Sequence, residues 1–165
     1  MASLRHEGVL QSWNRLVENG AGHGKEILDA VEEKIRASKM PDILWNQREA
    51  SSGFMGAKRW FLVIGHRNLN DYRMYIGARD FGLHLDVSWY LTVQPSTLKR
   101  AFSKYTMGNP NAISMQMDFF RQQDLSACVG YAHKCVMEEV EKLLQQLGQD
   151  PRTLNTKSKG FLELW

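Results

Sequence analysis

The sequence predicts an α+β protein: an antiparallel β-meander of four or five strands packed on a long C-terminal helix, with two helices at the N-terminus. Three observations predict it. From Leu83 to Gln94 apolar and polar side chains alternate strictly, as they do when one face of a strand is buried. From Leu125 to Leu147 apolar residues step by threes and fours, the spacing of one helix face. Between Ile43 and Gln94 the strand-like runs are joined by short polar connections, which suit antiparallel neighbours rather than crossovers.

Leu10, Trp13, Leu16 and Val17 fall at helical spacing and predict a first helix, broken by the glycines between Asn19 and Gly24. A second runs from about Lys25, with Ile27, Leu28, Val31 and Ile35 on one face, and Pro41 ends it. Ile43–Ala50 is a weaker strand. Arg59–Ile64 is apolar on both faces, as a strand covered on both sides would be. Asp71–Arg79 alternates, with Tyr72, Met74, Ile76 and Ala78 on one face and Arg73, Tyr75, Gly77 and Arg79 on the other. Gly82 supplies a positive φ for the turn into Leu83–Gln94, which Pro95 stops. Ser96 caps a short helix containing Leu98, Ala101, Phe102 and Tyr105, and Gly108–Asn111 breaks the chain. Ile113–Phe120 alternates as a short strand. Asp124 then caps the long helix, and Gly148 closes it.

A chain of 165 residues with 43% hydrophobic and 24% charged residues is one globular domain, read as residues 1–148 followed by a tail, 149–165, with an apolar end. No apolar run spans a membrane and no signal-peptide layout opens the chain, so a cytoplasmic protein without a membrane partner is expected. Cys128 and Cys135 lie on one helix stripe about 10 Å apart along the axis, too far to bridge. They read as core residues.

Chemistry is harder to find. Gly20–Lys25 echoes a phosphate-binding loop but lacks the first glycine, the Ser or Thr after the lysine and the preceding strand. The histidines have no zinc spacing, and no nucleophile elbow occurs. His84 and Asp86 share a strand face on which His66 could join them. No catalytic residue, metal or cofactor is assigned, and an enzyme is the less favoured class.

Three functions remain. The first is a non-catalytic binding or assembly module that contacts a protein partner or a copy of itself, with Phe161, Leu162, Leu164 and Trp165 as contact residues. The second is nucleic-acid binding. Residues 54–107 hold eight Lys or Arg against three Asp, so this region carries +5 and the rest −2. Arg59, Arg73, Tyr75, Arg79 and Tyr90 would interleave cations and aromatic rings on one sheet face, a platform for phosphates and bases. The third is a small-molecule pocket between sheet and long helix, lined by Trp89, Met74 and Val136.

Overall fold

The computed structural model describes residues 8–51, 57–94 and 117–160. They form an α+β fold: a six-stranded antiparallel sheet with two helices. The elements in chain order are β1 (Gly8–Val17), α1 (Gly24–Ala37), β2 (Ile43–Ser51), β3 (Lys58–His66), β4 (Tyr72–Phe81), β5 (His84–Val93), α2 (Phe119–Gln146), a 3₁₀ turn (Pro151–Thr153) and β6 (Lys159–Gly160). The spatial order is β2-β3-β4-β5-β1-β6. α1 therefore carries the chain across one face of the sheet, from β1 to the far edge at β2.

Both helices pack on that inner face. Alternation along β4 and β5 sends Met74, Ile76, Leu85, Val87, Trp89 and Leu91 into one core with Val31 and Ile35 of α1 and Val129, Val136 and Val140 of α2. Lys34 of α1 bonds both Glu138 and Glu139 of α2, the second at 3.0 Å. Gln47 of β2 donates to Asp29 and Glu32 of α1. Gly24 sits at the start of α1 because any Cβ there would lie 2.6 Å from the Ala78 carbonyl oxygen. Gly82 takes φ +63° in the β4–β5 turn, as the sequence predicts. Gly148 (φ +71°) ends α2 with Gln149 N–H bonded to Leu144 O and Gly148 N–H to Gln145 O, a Schellman closure.

The structure corrects the predicted elements at two places. The first N-terminal helix is the strand β1, so the described residues hold six strands and two helices. The inward positions of β1 are Gln11, Trp13, Arg15 and Val17; two are polar, which hides the two-residue period and leaves the apolar spacing of a helix. A register shift between Val9 and Gln11 disturbs the period further. The second correction concerns α2, which begins at Phe119, six residues before the predicted helix. Asp118 caps it, its side chain accepting from Arg121 N–H at 3.0 Å. Phe119 and Phe120 are therefore the first turn of a helix, not the end of a strand. The remainder of that strand, Ile113–Gln116, lies outside the described residues, as does the helix predicted after Ser96.

The inward polar groups of β1 have partners in residues 153–158, which run back past the strand. Gln11 Nε2 donates to Ser158 Oγ (2.5 Å), Trp13 Nε1 to Asn155 O (2.7 Å) and Arg15 to Thr153 O and Oγ1 (3.2 and 3.0 Å). Leu154 is buried in the core, and Lys159–Gly160 then pair with Ser12 and Gln11 as β6.

Candidate functional site

The outer face of the sheet carries none of the described helices, and its side chains follow from the strand registers. It holds Arg48 on β2, Arg59 on β3, Arg73 and Arg79 on β4, and Lys159 on β6, against Asp86 on β5. Arg79 Nε lies 3.2 Å from Asp86, its cross-strand partner, with the guanidinium over the Phe81 ring at 5.4 Å. Arg48, Arg59 and Arg73 have no acidic partner among the described residues. Arg48 donates instead to the Tyr75 hydroxyl at 3.0 Å, with its guanidinium 5.6 Å from the centre of that ring.

The five residues predicted to form a nucleic-acid platform thus share one face. They differ in access. Tyr75 is fully buried, in a cluster with Ala50, Phe61 and Val63, and its ring meets Phe61 edge-on at 5.8 Å. Tyr90 is 37% exposed, and Phe81 on the same face more so. Sequence alternation located the face but could not report this burial.

Two hollows open on the face. One, of about 330 Å3, includes Leu44, Arg48, Val63 and Arg73 in its lining. The larger, about 420 Å3, lies where β3 and β4 part. β2 and β3 pair along their length, from Ile43–His66 to Ser51–Lys58, and β4 and β5 from Tyr72–Val93 to Phe81–His84. β3 and β4 pair only at Leu62–Ile76, Val63–Tyr75 and Ile64–Met74. Beyond Leu62 the ladder pairing stops, and both Lys58–Phe61 and Gly77–Arg79 line the hollow. The cross-strand pair Gly77 and Ser88 also lines it, and Phe61 leans over Gly77 so closely that a Cβ there would lie 2.9 Å from the ring. No sequence signal announced the split, because ladder pairing leaves no mark on composition.

The other expected clusters do not assemble. His66 pairs with Ile43 at one end of the sheet while His84 pairs with Phe81 at the opposite end, so the two are not neighbours. Each ring is used locally, accepting at Nδ1 from Asn68 N–H and Asn19 N–H respectively, both at 3.3 Å. No group of three His, Cys, Asp or Glu that could hold a metal occurs among the described residues. In the glycine loop before α1, the Gly22 N–H donates to Asp80 Oδ1 at 2.9 Å, so a carboxylate of the chain itself takes that amide. Trp89, Met74 and Val136 are packed in the core, and the gap beside them between β4 and α2, bordered by Met74, Leu91 and Leu125, holds about 10 Å3, roughly one water molecule. Cys128 and Cys135 are both free and buried. No described helix is long and apolar enough to cross a membrane. Phe161, Leu162, Leu164 and Trp165 lie outside the described residues.

Fold and site together define a class: an α+β protein whose antiparallel sheet holds both described helices on one face and carries a basic, hollowed surface on the other. No family model, curated protein or solved structure matches the chain.

Proposed function

We propose that the protein binds single-stranded nucleic acid across the outer face of its sheet. The observation that supports this reading is the charge imbalance of that face: five cations against Asp86, three of the arginines without an acidic partner among the described residues. A flexible polyanion satisfies several such cations at once and releases the counterions they would otherwise gather. Tyr90 and Phe81 add exposed ring area beside the arginines, and bases stack on such rings without regard to sequence. Tyr75 contributes by holding Arg48 in place rather than by stacking.

The test is binding to single-stranded oligonucleotides over a salt series. Arg59→Ala and Arg73→Ala are expected to weaken binding and to flatten the salt dependence by about 0.7 in log–log slope each, the value for one phosphate contact on a single strand. Unchanged slopes in both variants would remove the sheet face from consideration.

A protein partner is the second reading. One observation favours it: β2 stands at the end of the sheet order, so its outer edge has no neighbouring strand among the described residues, and Leu44 on it is exposed.

A further inference from the structure

We propose that the split between β3 and β4 is a nucleobase slot, which takes one unstacked base of the bound strand; this deepens the nucleic-acid reading above and rests on it. Four features carry the inference. The first is backbone chemistry. The ladder stops at Leu62–Ile76, and the residues beyond it on both strands, Lys58–Phe61 and Gly77–Arg79, border the hollow with the sides of their backbones that face the other strand. Peptide N–H and C=O groups need partners, and the edge of a base offers donors and acceptors of matching strength. An apolar ligand would leave those groups unsatisfied.

The second feature is shape. Gly77 and Ser88 face each other across β4 and β5, between the bulkier pairs Tyr75–Tyr90 and Arg79–Asp86. Two small residues between large ones leave room that the Phe61 ring takes over Gly77, and the hollow of about 420 Å3 beside it falls within the usual range for small-ligand sites. The third is aromatic lining: Phe61 leans over Gly77, and Tyr90 is the accessible ring on the other side. The fourth is charge. Arg59 borders the hollow with no acidic partner among the described residues, where the phosphate attached to an inserted base would lie. The slot therefore reads base and phosphate together, whereas the rest of the face reads phosphate alone.

The experiment compares the wild-type protein, Gly77→Ala and Ser88→Val, each titrated with a single strand of about ten nucleotides and with inorganic polyphosphate, a polyanion without bases. Gly77→Ala pushes on the Phe61 ring that lines the hollow; Ser88→Val narrows it from β5 with a residue suited to a strand. Expected is a loss of about 5- to 100-fold for the oligonucleotide in both variants, the range for one base–aromatic stack, with polyphosphate affinity unchanged. In the wild-type protein the amide resonances of Lys58–Phe61 and Gly77–Arg79 should shift with the oligonucleotide and stay in place with polyphosphate. Equal losses for both ligands, no loss in either variant, or unmoved amides would overturn the slot while leaving the basic face standing. Failure of the wild-type protein to bind either ligand would instead overturn the parent reading, and the slot with it.

Discussion

Trp89 Nε1 donates to His133 Nδ1 at 3.0 Å, joining the central strand of the sheet to the long helix inside the core. An indole N–H can only donate, so Nδ1 must accept and the ring proton sits on Nε2. That nitrogen lies 2.7 Å from Thr156 O and donates to it. One imidazole thus ties β5, α2 and the returning chain together, with the Trp89 and Trp13 rings set edge-on against it at 5.5 and 6.1 Å.

Replacing His133 with Leu keeps the bulk but removes the acceptor for Trp89 and the donor for Thr156. Stranding a buried polar group costs about 1–3 kcal/mol. Urea denaturation should show a loss of that size with an unchanged slope; a variant as stable as the wild type would mean the contacts are dispensable.

Trp13→Phe keeps an aromatic ring on β1 but deletes the N–H that reaches Asn155 O together with part of the buried indole. Global stability should fall by about 1–3 kcal/mol, lost hydrogen bond and lost packing together. Hydrogen exchange should accelerate selectively in residues 154–160, while the middle of α2 stays protected. Uniform acceleration would show that the returning chain does not open by itself.

The pair of acids around Lys34 sets an acid-side sensitivity. The Lys34 hydrogen bond holds the Glu138 carboxyl below its ordinary 4.5. Burial pushes Glu139 up, but hydrogen bonds from Lys142 and Lys34 outweigh it and the net direction is also down. Burial likewise pulls Lys34 down, and its bonds to Glu138 and Glu139 turn the net direction upward. A carboxylate with a lowered folded-state pKa stabilises above its unfolded value and loses that contribution as pH falls through the folded one; the lysine's is complete below its ordinary 10.5 and fades only as pH rises through its raised value. Lys34→Met should therefore flatten the loss of stability between about pH 5 and pH 2. An unaltered pH profile would show that these charges act on other groups.

Burial pushes the Cys128 thiol up to about 11 and raises Cys135 as well. Thiolate is the reactive form, so both should resist a disulfide reagent at pH 8 in the folded protein and react at once in denaturant. Rapid labelling of the native state would show that the inner face of α2 opens.

The sheet was legible where one face is buried and the other wet. Along β4 and β5 every second residue enters the core, so alternation gives both the strands and the side of each arginine. It failed at β1 because Gln11 and Arg15 point inward to partners in the returning chain, and no local pattern reports a partner more than 130 residues away. The start of α2 was hidden because Phe119 and Phe120 are exposed, which breaks the apolar stripe in its first turn. The basic face followed from alternation plus charge. Its deepest part did not, since Gly77 and Ser88 are unremarkable in sequence and the parting of β3 from β4 is a property of pairing alone.

The pairing of Gln11 with Gly160 has a consequence for how the chain is made. During synthesis β1 leaves the ribosome before either neighbour: β5 emerges some 70 residues later and β6 only after residue 160. Contacts so far apart in sequence slow folding, because long loops must close before any contact repays them. Until then β1 lacks both of its native neighbours, and strand edges in that state are the ones that pair with other chains.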